Sequence, residues 1–141
     1  MRKRLQEIAD RWIQEVWQER NIDALDRLHP PDFIDHSPSG RGSDLASYRA
    51  GVEELFRAFP DFYGVSRDIV IDESESKAAI LWTATGTHRG EFLGIEPCGK
   101  VIHFRGIEII TIRDDKITER WGEWDGIDIL EQMGVRPPFS I

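Results

Sequence analysis

Cysteine is almost missing from this chain. Cys98 is the single one in 141 residues, so no internal disulfide forms and a reducing, cytoplasmic setting is implied. Long apolar runs are missing too. No stretch approaches the roughly 18 apolar residues of a membrane span. The basic start (Arg2, Lys3, Arg4) leads into polar sequence rather than the apolar segment of a signal peptide. Positive charge is in short supply, with 18 Lys and Arg against 26 Asp and Glu and a net charge of −8. Phosphate backbones are held mainly by Lys and Arg, so nucleic acid is not the expected partner. Neither His-Glu-x-x-His nor a paired-Cys spacing occurs, so no metal is expected. Gly94 to Lys100 has the spacing of a phosphate loop, but it lacks the Ser/Thr and leads into a strand, so it has no helix N-terminus to cradle an anion.

What remains is the composition of an ordinary folded domain. A chain of this length buries about 68–70% of its unfolded surface, enough for one self-sufficient core, and residues 1–141 read as a single domain without repeat or linker. Five tryptophans are many for this size. Leu5, Ile8, Trp12, Ile13 and Val16 recur at helical spacing, predicting a helix over residues 3–19. Asn21 caps a second, short helix that Pro30 and Pro31 stop. Residues 32–36 read as extended. Ser43 or Asp44 opens a third helix with the stripe Leu45, Tyr48, Val52, Leu55, Phe56 and Phe59. Strands follow over 65–71, 77–89, 101–113 and 117–124. Residues 90–100 form a loop, Asp114-Asp115 a tight reversal, and Asp125 caps a terminal helix through Gln132. Helices first and an antiparallel meander afterwards define an α+β fold.

Charged residues inside the apolar strands are the functional lead, since a charge on a buried sheet face is costly unless paired and often marks chemistry. With a two-residue turn at 114–115, Glu108 falls opposite Trp121 and Gly106 opposite Glu123. The face Ile102, Phe104, Gly106, Glu108, Ile110, Ile112 is apolar but for one acid and is expected to line the interior. A β-bulge would reverse this parity locally. Glu108 and Glu123 are the candidate acid/base carboxylates; the plainer alternative is a structural carboxylate bonded to Arg120, Arg105 or Tyr48. His88, at a strand end among small residues, and His36, in an Asp-His-Ser segment, are candidate proton shuttles or polarising groups, the alternative being rim histidines. Trp12 reads as core. Trp82, Trp121 and Trp124 read as walls for a flat apolar ligand, with Phe104 on the same inner face and Phe92 on a loop that closes over it. Arg120 and Tyr48 complete the expected substrate contacts. Cys98 has no base placed near it by sequence, so a nucleophilic role is not expected.

Three stretches resemble a known family: HPPDFIDHSP at 29–38, GTHRGEFLGIEPCGK at 86–100 and FRGIEIITIRDDKITERWGEWD at 104–125. They are similar to the SnoaL-like polyketide cyclases of the nuclear transport factor 2-like superfamily. The resemblance implies a curved antiparallel sheet wrapped around N-terminal helices with a deep pocket, a homo-oligomer (dimer or tetramer) built through the sheet, and a cofactor-free lyase or isomerase. Its implied chemistry is acid/base aldol cyclisation or isomerisation of an apolar carbonyl or ester compound. The sequence departs from the family at one place: a His-Trp-Asp-like segment supplies the acid/base Asp in the cyclases, and the matching residues here are Arg120-Trp121-Gly122. Gly122 moves no proton. A neighbouring carboxylate in its place, an epoxide-hydrolase-like hydrolysis or hydration beside Arg120, and a non-catalytic pocket for an apolar metabolite all stay open.

Overall fold

A computed structural model describes residues 1–136. The chain begins with α1 (Arg2–Trp12), which runs without a break into a wider π-helical segment, Ile13–Gln18. The predicted single helix over 3–19 is therefore two pitches of one rod. Such a widening rotates the side chains beyond it and recurs at functional sites; here it sends Trp17 inward beside Trp12, ring centroids 5.6 Å apart and edge-to-face. The helix α2 (Ile22–Leu28) is capped as expected. The Asn21 side chain accepts from the backbone N–H groups of Asp23 and Ala24, a cap that contributes about 1 kcal/mol. The helix α3 (Leu45–Ala58) starts after Asp44 and buries Tyr48, Val52, Leu55 and Ala58.

Among the described residues five strands form one mixed sheet in the order β1-β5-β4-β3-β2. They are β1 (Ile34–Asp35), β2 (Tyr63–Asp72), β3 (Lys77–Thr87), β4 (Val101–Arg113) and β5 (Lys116–Trp124). The pairs among β2 to β5 are antiparallel, while the short β1 runs parallel to β5 at the edge. A final helix, α4 (Gly126–Gln132), is capped by the Asp125 carboxylate, which accepts from Asp128 N–H. Along β4 burial alternates as far as Ile110, after which Thr111 and Ile112 are both buried. Ile102, Phe104, Glu108 and Ile110 are buried, while Val101, Ile107 and Ile109 are exposed. The inner face packs on the helices, and the outer face carries an apolar band of Val70, Leu81, Ile107, Ile109 and Trp121, all exposed.

The β4–β5 hairpin corrects one expectation and explains it. Asp114 and Asp115 both have positive φ, 50° and 62°, the conformation of the two-residue turn that suits a hairpin's twist. The first pairs follow the expected register, Arg113 with Lys116 and Ile112 with Ile117. Then Thr111 pairs with Glu119, so β5 carries one extra residue at this point. This β-bulge moves every later residue of β5 to the opposite face. Glu108 consequently lies opposite Gly122, not Trp121, and Gly106 lies opposite Trp124, not Glu123.

Candidate functional site

The bulge decides which residues of β5 look inward. Arg120, Gly122 and Trp124 take the inner parity, and Trp121 and Glu123 pair with the exposed Ile109 and Ile107. Between the inner sheet face and the helices lies a cavity of about 360 Å³, the lower end of the range for small-molecule sites. Its walls are aromatic: Trp12 and Trp17 from the first helical rod, Phe62 after α3, Trp82 from β3, Phe92 from the loop and Trp124 from β5. Trp124 stacks on the buried Phe104, centroids 5.9 Å apart, so Phe104 backs the wall.

Polar groups converge at one end. Arg120 donates from Nη2 to Glu108 Oε1 (2.7 Å) and from Nε to Glu108 Oε2 (3.0 Å), a two-pronged pair across the hairpin. Its Nη1 donates to Asp35 Oδ1 at 2.8 Å. Asp35 is the second residue of β1, aligned with Arg120 by the parallel pairing, and its Oδ1 also accepts from Ser37 N–H at 2.9 Å. All three ions are buried, with Asp35 4%, Glu108 8% and Arg120 9% exposed. Above them Tyr48, from α3, lays its ring on the guanidinium at 5.2 Å. The Tyr48 hydroxyl is buried and has no hydrogen-bond partner among the described residues, and the same holds for Trp12 Nε1 and Trp82 Nε1. Buried donors are rarely left unpaired. All three belong to residues that line the cavity.

Burial pushes the Glu108 carboxyl above its ordinary range, against the pull of Arg120, with the charges of Asp35 and Glu123 adding to the rise. Burial alone would depress Arg120, but its surroundings together, Glu108 foremost and Asp35 with it, outweigh burial and the guanidinium stays charged. Tyr48 is raised by burial, so its hydroxyl is a neutral donor at any physiological pH. Two carboxylates around one guanidinium leave the cluster one positive charge short, an arrangement that favours uptake of a proton.

Gly122 is what makes room for this. A Cβ built there would collide with Arg120 Nη2 and lie within 2.6 Å of both Glu108 carboxylate oxygens. The ion pair fills the space that a side chain at position 122 would need.

The other sequence-predicted residues lie elsewhere. His36 is on the outer face, stacked on Trp121 with centroids 4.0 Å apart and its Nε2 3.6 Å from Glu119. Trp121 is thus an outer-face residue and no wall of the cavity, because the bulge turned it out. Glu123 is exposed and takes the same outer parity, although its position borders the cavity. His88 is fully buried at the far end of β3, stacked on Phe59. Its Nδ1 accepts from Cys98 N–H at 3.2 Å and lies 3.3 Å from Cys98 Sγ. An imidazole, that of His88, thus lies beside Cys98, where spacing along the sequence did not place one. Sequence reading passed over Asp35, whose neighbour His36 drew the attention, and the pairing with Arg120 needs β1 to be seen beside β5. It also placed Trp12 in the core, where the structure has it lining the cavity as well. No group of three metal-ligating side chains occurs among the described residues, and no helix there is long and apolar enough to cross a membrane.

The family model of the SnoaL-like polyketide cyclases matches residues 7–133. Among solved structures, AclR from Streptomyces galilaeus, a candidate hydroxylase, superposes with a TM-score of 0.87 at 22% identity, covering 99% of this chain and 91% of its own. A candidate polyketide cyclase from Acidithiobacillus ferrooxidans shares 26% identity over 93% of this chain and 94% of its own, with a TM-score of 0.80. IdmH, a candidate polyketide cyclase from Streptomyces antibioticus, gives 25% identity, 93% and 99% coverage and a TM-score of 0.79. No curated protein matches the chain in sequence.

Proposed function

From the premise that the chain belongs to the SnoaL-like polyketide cyclase family, we propose that it catalyses an acid/base reaction of an apolar carbonyl compound inside the aromatic cavity. The observation that carries this reading is the buried Glu108, clamped by Arg120 at 2.7 and 3.0 Å beneath the unpartnered Tyr48 hydroxyl.

The arrangement divides the labour. Aromatic walls hold a flat ring system and exclude water. The Glu108 carboxylate takes the proton α to the carbonyl; the C–H electron pair becomes the enolate π bond. The negative charge moves to the carbonyl oxygen, where the neutral Tyr48 O–H donates to it. A pre-aligned donor in a dry site stabilises such a charge far better than water does. The enolate carbon then either attacks a second carbonyl of the same molecule, whose oxygen receives the proton back from Glu108, or is reprotonated at carbon. Burial makes the carboxylate a stronger base than an exposed one, which suits catalysis near neutral pH. In this scheme Glu108 stands in for the missing Asp at position 122.

A second reading is favoured by Asp35, Arg120 and Glu108 lying in one bonded row. Two carboxylates bridged by a guanidinium suit hydration or epoxide opening, one carboxylate activating water and the other delivering a proton. Incubation in ¹⁸O-labelled water separates the two, since only hydration retains the label. A pocket that binds but does not react is the third case.

The outer apolar band of the sheet supports a homo-oligomer, closed by the same surface of a second copy. No other macromolecular partner is proposed.

The experiment is solvent exchange with 1-tetralone, an aryl ketone small enough for the cavity, followed by NMR in D₂O. The native protein is expected to accelerate loss of the α-protons and Glu108→Gln to abolish that acceleration. Equal exchange by both proteins would remove Glu108 from the mechanism, and binding without exchange would leave a ligand-binding module.

A further inference from the structure

Glu108 has the form of a base that its own neighbour ought to disable. Arg120 meets both of its oxygens, and a guanidinium at 2.7 Å normally holds a carboxylate in its weakly basic, ionised form. The charge is not Glu108's alone, however. Arg120 Nη1 is bonded to Asp35 Oδ1 at 2.8 Å, and Asp35 is anchored independently. It accepts from Ser37 N–H, its own N–H donates to Ser43 O at 2.8 Å, and its strand is aligned residue for residue with β5.

We infer that Asp35 is the positioning residue of this site, fixing Arg120 by its third nitrogen and, by dividing the guanidinium charge, keeping Glu108 basic enough to take a proton. This rests on the reading of Glu108 as the acid/base group. Remove the Asp35 charge and the whole of Arg120 falls to Glu108, which then ionises more easily and titrates at lower pH. Direction and structure agree, since Asp35 is among the groups that raise Glu108, after burial itself.

The remaining charged and titratable groups around the pair do not supply the same effect. Tyr48, packed on it from α3, stays neutral. His29, which follows α2 and has its ring 5.5 Å from that of Tyr48, is lowered to about 4 by burial and is uncharged at neutral pH. Glu123 raises Glu108 from further along β5, but it sits on the exposed side, where solvent screens it. Arg120 is the single cation bonded to the site among the described residues.

The isosteric variant Asp35→Asn tests this, because an amide oxygen keeps acceptors for Arg120 and Ser37 while losing the charge. The ¹³C shift of the Glu108 carboxyl carbon, followed by NMR against pH, is expected to titrate at lower pH than in the native protein. The acid limb of the ketone-exchange profile is expected to move the same way, and the rate at neutral pH to fall by about ten- to a hundredfold. A folded Asp35→Asn protein whose Glu108 titrates where it did before, or higher, would overturn the inference. Should that variant not fold, the native protein answers alone. Coupled to its neighbour through one guanidinium, the Glu108 carbon should report more than one titration step, and a single-step curve would contradict the proposal. The readout does not depend on turnover. A shifted Glu108 in a protein that exchanges no ketone protons would uphold Asp35's electrostatic role and count against the base assignment. Intact exchange with an unshifted Glu108 would do the reverse.

Discussion

The Glu108 carboxylate sits where a side chain at position 122 would have to be, with both oxygens within 2.6 Å of a Cβ built on Gly122. One glycine thus permits a buried ion pair. An Asp side chain at position 122 and the Glu108–Arg120 pair would compete for one space. Gly122 has an ordinary strand backbone, since it is not among the positive-φ glycines, so the requirement is steric rather than conformational.

Gly122→Asp should therefore do harm instead of restoring the family pattern. It forces Arg120 off Glu108, and breaking a buried pair by displacing one partner costs about 3–5 kcal/mol. Thermal unfolding should show a Tm many degrees lower with exchange activity lost. An unchanged Tm with activity retained would mean that the pair relocates freely and is not the organising feature of the site.

Tyr48→Phe separates stability from function. The hydroxyl has no partner among the described residues, and an unsatisfied buried polar group costs about 1–3 kcal/mol. Removing it should leave the Tm unchanged or higher. Loss of an oxyanion donor should slow exchange by about a hundredfold or more. A destabilised Tyr48→Phe with unimpaired exchange would reassign the hydroxyl to structure.

His29 gives the pH dependence of stability a definite sign. Its Nδ1 lies 2.7 Å from Leu25 O and its pKa is lowered from 6.5 to about 4, chiefly by burial. Between these values the unfolded chain takes a proton that the folded one refuses. Stability is therefore lost as pH falls from about 6.5 to about 4, by about 3 kcal/mol in all. Below the lower value no further loss comes from this group. Glu108 acts oppositely, since a raised carboxyl favours the folded state as pH falls. Denaturant titration of native protein and His29→Asn over this range isolates the histidine: the variant's curve should be flatter on the acid side. Parallel curves would show that His29 carries no such linkage.

The outer sheet face should hold two copies together. Ile107 is 53% exposed at its centre, beside Ile109 and Leu81. Sedimentation should find the native chain as an oligomer and Ile107→Lys as a folded monomer. A monomeric native protein would refute the oligomer.

Much of this was legible in the residues because it depends on local rules. Helical spacing found α1 and α3, Asn21 and Asp125 announced their caps, and alternation along 101–113 picked out Glu108 as the one acid on an inner face. The turn at Asp114-Asp115 was equally plain. What failed was a single extra residue in β5. A bulge leaves no mark in hydrophobic alternation when Thr118 and Glu119 are both polar, yet it exchanged the faces of Trp121, Gly122, Glu123 and Trp124. Asp35 was hidden for another reason: a two-residue parallel strand at a sheet edge has no periodicity, and its partner lies 85 residues on. His36 was the visible neighbour, and the structure puts it outside.

The proposed chemistry requires a ligand held with its reacting edge against Glu108, and a crystal structure with 1-naphthol, a planar mimic of the enol of 1-tetralone, tests that most directly. Its hydroxyl is expected within hydrogen-bond distance of Tyr48 Oη, with the adjacent ring carbon facing the Glu108 carboxylate and the Trp82 and Trp124 rings flanking it. A ligand seated on the outer face, or one in the cavity with its oxygen turned from Tyr48 and Glu108, would contradict it.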